Sequence, residues 1–253
     1  MAGQDHLLAT KPSSSIKAGE QKKAEKGLKD NKYFIYFINA SITNTGTEEQ
    51  KRMFRTAIQH DIVAQFYYLR FSFHESYGEI RTAQRLLIDL YRANLLDEIR
   101  RTRSFLNSIA PDVILSRDTS GRKYISLSYR LLAHSKTYMG MADNYKNTLY
   151  SLRLYKYVKA MKKLKEAKRY AVTATLQVHL PDRYLLQRRR QTFETISALI
   201  REHIPGERQG EVLDYHTDSY YRVTGEMSQQ ERVWEEEPLE EFEPYRQYLE
   251  TTD

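Results

Sequence analysis

Cysteine is absent from the 253 residues, so the chain has no disulfide framework, no thiolate metal site and no cysteine nucleophile. Glycine and proline are scarce, at 10 and 6, and the glycines form neither a GxGxxG pattern nor a loop ending in Lys-Ser or Lys-Thr. That excludes nucleotide sites of those two types. No GxSxG elbow, HExxH motif or Glu-x-x-His pair occurs, and the seven histidines are dispersed without metal-ligand spacing. The pattern calls for no cofactor and argues against an enzyme. Long hydrophobic runs are also missing: residues 33–38 form the strongest early one, far too short to span a bilayer. The first 32 residues are polar and lysine-rich and lack the apolar centre of a secretory signal, so the expectation is a soluble, cytoplasmic protein without a transmembrane segment.

What is present is a set of long stretches without Gly or Pro, and 40% apolar residues to build a core from. Five such stretches, residues 47–77, 79–110, 122–139, 141–180 and 182–204, are each a candidate helix or hairpin arm. Phe54, Ile58, Ile62, Phe66, Leu69 and Phe73 recur at helical steps, with Thr45 or Thr47 as the cap. A second stripe runs Ile80, Ala83, Leu87, Tyr91, Leu95, Ile99, Leu106 and Ile109 and is expected to end at Pro111, with Gly78 as the hinge between the two arms. Residues 145–178 are expected to be the longest helix, and His134 a hydrogen-bonded core residue. A short strand over Ile125, Leu127 and Tyr129 is the alternative to helix there. The expected fold is all-α: about five helices in an antiparallel bundle or hairpin array over residues 33–205. A disordered basic arm, residues 1–32, precedes it, and an acidic, aromatic-containing tail, residues 206–253, follows.

Charge divides the chain. Residues 118–205 hold 18 Lys+Arg against 6 Asp+Glu, a balance of +12, whereas residues 206–253 hold 4 against 14, a balance of −10. Lys156, Lys159, Lys162, Lys163, Lys165, Lys168 and Arg169 lie on one candidate helix among tyrosines, and Arg188, Arg189 and Arg190 could extend that basic face. Closely spaced cations suit an acidic protein partner, the chain's own acidic tail or the phosphates of a nucleic acid, set against the commoner case of a solvated surface. Recognisable nucleic-acid modules are missing, which leaves nucleic acid as the runner-up.

In the tail, Val233, Trp234, Leu239, Phe242 and Tyr245 stand among glutamates as a candidate docking peptide or an internal clasp over the basic region. The least weak catalytic or metal constellation is His60, His74, Glu75 and Glu79 around Gly78, whose simpler explanation is solvated or half-buried polar residues at a helix boundary. Ala160, Leu164 and Ala167 match one helix of a tetratricopeptide repeat, but the rest of that pattern is missing and no family is inferred. The functional expectation is a non-enzymatic protein-interaction or assembly module with a basic helical face and an acidic docking tail. The alternative is a charge-driven nucleic-acid binder autoinhibited by that tail.

Overall fold

The structure, a computed structural model, describes residues 14–116, 118–180, 186, 191–225, 227–235 and 238–251. It is all-helical, and among the described residues there are nine α-helices and no strand. They are α1 (Ser14–Thr45), α2 (Glu48–Leu69), α3 (Phe73–Leu115), α4 (Thr119–Asp143), α5 (Tyr150–His179), α6 (Phe193–His203), α7 (Gly206–Asp218), α8 (Gln229–Glu235) and α9 (Glu243–Glu250). The candidate strand around Leu127 is therefore part of α4, and the helix count exceeds the expected five.

Local chemistry explains several boundaries. Thr47 caps α2 in a capping box: its hydroxyl accepts from the Gln50 amide while the Gln50 side chain accepts from the Thr47 amide. The reversal between α2 and α3 falls at Arg70–Ser72 with Phe71 in the left-handed region, not at Gly78, which sits inside α3. Phe73 and Ser76 are the reason, because both are buried and the Ser76 hydroxyl donates to the Ala64 carbonyl at 2.8 Å, fixing the start of α3 before the glycine is reached. Pro111 does not stop α3 either. It removes one backbone donor close to the helix end, where Ile109 and Val113 continue the buried face. With 43 residues α3, rather than the 145–178 stretch, is the longest helix.

The residues expected to form a flexible arm belong mainly to α1. Ala24 and Asn31 are fully buried there, and α1 runs in the same direction as α3, with pairs 31–84 and 34–91 in contact: Gln84 donates to Asn31 at 3.0 Å and the Tyr91 hydroxyl to the Phe34 carbonyl at 2.6 Å. Gly27 lets the two helices meet, since a Cβ there would lie 2.8 Å from Ile80. Helices α4 and α5 form the most extensive contact as an antiparallel pair, in which Ser128 donates to the Ala167 carbonyl and Ser135 to the Ala160 carbonyl. Small side chains at those crossings allow the close approach. His134, one residue off that seam, is exposed rather than part of the core.

A buried polar chain crosses from α3 through α1 to α2. Arg81 donates to Gln84, Gln84 to Asn31, and Asn31 to the Asp61 carboxylate at 2.8 Å, while Gln65 donates to the other Asp61 oxygen at 3.1 Å. Burial pushes the Asp61 carboxyl up to about 6 against the pull of those two hydrogen bonds. Since the folded value lies above the unfolded one, this group favours folding most below the unfolded carboxylate pKa, and that stability is lost as pH rises through about 6. Asp61→Asn is therefore expected to raise stability at neutral pH by roughly 2 kcal/mol, with the exposed Gln65 amide turning to match the new partner. Denaturant unfolding at pH 5 and pH 7.5 checks this, because the gain should be smaller at the lower pH.

Candidate functional site: the cationic groove on α5

Helix α5 has two unlike faces. Leu154, Tyr157, Val158, Met161, Leu164, Ala171 and Val172 are buried, whereas Lys159, Lys162 and Arg169 are exposed and Lys156 and Lys163 are half-buried. At about 1.5 Å per residue, Lys156 to Arg169 spans roughly 20 Å. Lys159, Lys162, Lys163 and Arg169 line a groove of 540 Å³ whose walls are Phe37 of α1, Tyr138 of α4 and Tyr221 beyond α7. The Lys162 ammonium lies 4.2 Å from the centroid of the Phe37 ring and donates to the Tyr33 hydroxyl at 3.0 Å; Lys163 pairs with Glu166 at 2.8 Å, and Lys156 lies over the Tyr138 ring. Cations backed by aromatic faces are held in place yet remain open to a ligand's acids.

Two members of the expected basic face are not on it. Lys165 and Lys168 are each 1% exposed. Lys168 pairs with both Glu98 and Asp218, and Lys165 reaches Asp218 and the Asp218 and Tyr220 carbonyls. Burial works against the charge on Lys168, but the Asp218 and Glu98 carboxylates outweigh it and hold the ammonium above its ordinary range. For Lys165 burial wins, and one carboxylate leaves it below the usual lysine value. Asp218 titrates well below the ordinary carboxylate range because the two lysines overcome its own burial cost. The periodicity carried this signal: Met161, Lys165, Lys168 and Val172 are spaced as one helix stripe, as are Leu95, Glu98 and Thr102, so both lysines and Glu98 fall in buried register. Only the tertiary structure supplies Asp218. Arg188, Arg189 and Arg190 lie outside the described residues.

A family model described as "Surface protein adhesin OmpL37" matches residues 18–247. The chain belongs to that family. No curated protein and no solved structure matches it. The match runs from within α1 to within α9, across both boundaries expected from composition. Membership in this adhesin family agrees with a binding role rather than a catalytic one, and it overturns the cytoplasmic expectation, since a surface protein adhesin belongs at the cell surface. That expectation rested on the polar, lysine-rich first 32 residues, which lack the apolar centre of a secretory signal, and on the lack of long apolar runs. No helix among the described residues is long and apolar enough to cross a membrane, but that property alone assigns no compartment.

The docking-peptide residues of this adhesin-family chain are mostly occupied by its own body. Val233 is buried, Leu239 packs against the main core, Phe242 lies edge-on to His60 with centroids 4.9 Å apart, and Tyr245 lies against Phe66 at 5.5 Å. Trp234 is the exception, 61% exposed. Of the four residues around Gly78, His60 and Glu79 do meet, at 2.5 Å, whereas His74 is exposed and only approaches Glu20 at 3.8 Å. Among the described residues no three His, Asp or Glu side chains gather as a metal site would require.

Proposed function

We propose that this chain is a non-enzymatic binding protein of the cell surface that engages an acidic segment of a protein ligand along the α5 groove. The observation that carries this reading is the row of Lys156, Lys159, Lys162, Lys163 and Arg169 beside Phe37, Tyr138 and Tyr221. Among the described residues, Lys163 is the member of that row that pairs with a carboxylate, so most of the row's charge faces no acidic partner there. The description of the family as adhesins supports a binding role, and the groove's chemistry supports an anionic partner. Lys159→Glu, Lys162→Glu and Arg169→Glu together are expected to weaken binding to immobilised polyglutamate by roughly tenfold or more while leaving the circular dichroism spectrum unchanged. Wild-type binding should also fall as salt is raised toward physiological strength. Unchanged affinity in the triple variant would remove the reading, and clear preference for duplex DNA over polyglutamate would favour the nucleic-acid alternative.

A further inference from the structure

A second groove, of 610 Å³, lies between α1, α2 and α8. Its floor is made by Ile35, Ile58 and Ile62, all buried, and by the carboxylate of Asp61, which is 7% exposed. Tyr36 and Trp234, 59% and 61% exposed, stand at its rim. Asp61 forms no ion pair among the described residues: its partners are the Asn31 and Gln65 amides, one on each oxygen. Each carboxylate oxygen can accept a further hydrogen bond. A buried carboxylate without a cation is costly to hold, and Asn at this position could keep both partners at lower cost, accepting from Asn31 and donating to a turned Gln65 amide. An uncompensated charge at the floor of an open apolar slot beneath two exposed aromatic rings is the complement of a long cationic side chain. The methylene stem would lie along the isoleucines, the rings would flank it, and the charged head would reach Asp61.

We propose that this groove receives a lysine or arginine side chain of a protein ligand, with Asp61 as its counter-charge and Tyr36 and Trp234 as its walls. The site is distinct from the cationic groove on α5, because it has a carboxylate at its floor and draws on α2 and α8 rather than α4 and α5, although Tyr36 at its rim stacks on Tyr221 of the other groove with ring centroids 6.2 Å apart. Lys29 and Lys32 on α1 line the same groove and would meet acidic neighbours of the inserted side chain, which confines the cation to the Asp61 floor. Trp234 is the chain's single tryptophan, so its fluorescence reports on this groove alone.

The test is titration of the full chain with short acetylated, amidated peptides carrying lysine, arginine or norleucine at the central position, followed through Trp234 emission. The lysine or arginine peptide is expected to bind at least about tenfold more tightly than the norleucine peptide, and Asp61→Asn should abolish that preference. The Lys159, Lys162 and Arg169 triple reversal should leave it intact, which separates failure here from failure of the α5 groove. Equal binding of norleucine and lysine peptides would mean a merely apolar groove and overturn the proposal. So would an undiminished preference in Asp61→Asn, or no response to any cationic peptide up to about 10 mM. The wild-type comparison stands on its own if the variant misfolds.

Discussion

Ending the chain at Pro205 is expected to leave a product that does not fold cooperatively. Composition alone suggests the opposite, a helical body that survives loss of an acidic tail. The body's interior, however, is completed from beyond that point. Val212 is fully buried, the Tyr215 ring stacks on Phe105 with centroids 4.1 Å apart, and His216 stacks on Phe193 and is hydrogen-bonded to its carbonyl at 3.0 Å. Asp218 and the Tyr220 carbonyl are partners of Lys165 and Lys168, and without them Glu98 is the one carboxylate left beside the two ammonium groups among the described residues. Exposing the apolar patch and leaving those charges together cost more than about 5 kcal/mol, comparable with the whole net stability of an ordinary domain. A chain ending at Glu235 keeps all of these contacts and loses mainly the packing of Phe242, Tyr245 and Tyr248 on α2. It should fold, with a melting midpoint roughly 5–10 °C lower. Thermal melts of both truncations decide the matter, and a sharp transition in the shorter chain would show that the acidic stretch is an appendage.

Asp218→Ala should lower stability by about 3–5 kcal/mol, which for a chain of this size corresponds to roughly 10 °C in melting midpoint. Removal of one partner leaves the other charges desolvated without return, which is why the loss exceeds that expected for an exposed pair. Replacing Glu98, Lys165, Lys168 and Asp218 together by apolar residues of similar volume should bring stability back to within about 2 kcal/mol of the wild type. The pH dependence has a definite sign. Asp218 is held below its unfolded value, so its contribution is complete above the ordinary carboxylate pKa and is lost as pH falls through the folded one. His216, whose pKa burial pushes down, disfavours the folded state in the same direction on acidification. Urea midpoints measured from pH 7 down to pH 2 should therefore fall steeply for the wild type and more shallowly for Asp218→Ala. A variant melting within about 2 °C of the wild type would deny the ion cluster any structural role.

Asp61 and Asp218 are both buried carboxylates and are expected to act on stability in opposite directions with pH. The difference is their surroundings. Two lysines face Asp218, and two neutral amides face Asp61. Natural chains tolerate a destabilised group where binding uses it, so an Asp61→Asn variant that is more stable but blind to cationic peptides would be the expected trade.

Much of this was legible in the residues themselves. Helical spacing in Phe54 through Phe66 and in Ile80 through Ile109 pointed to α2 and α3, Thr45 or Thr47 was the expected cap of α2 and the structure chooses Thr47, and the long stretches without Gly or Pro were candidate helices. The α5 cations at positions 156, 159, 162, 163 and 169 were also visible. Local sequence by itself determined helix type, the apolar stripes and the position of the charges, because these depend on spacing within about four residues along one helix. Tertiary structure alone decided how the buried charges are paired and which tail residues reach the core. It compensated Lys165 and Lys168, already in buried register, by bringing in Asp218, 50 residues from Lys168, turned the lysine-rich start of the chain into a helix by laying it on Ile80 and Tyr91, and seated Val233 in the core while leaving Trp234 exposed. A long-range contact of that kind depends on how helices cross in space, and no local pattern of residue types encodes the crossing.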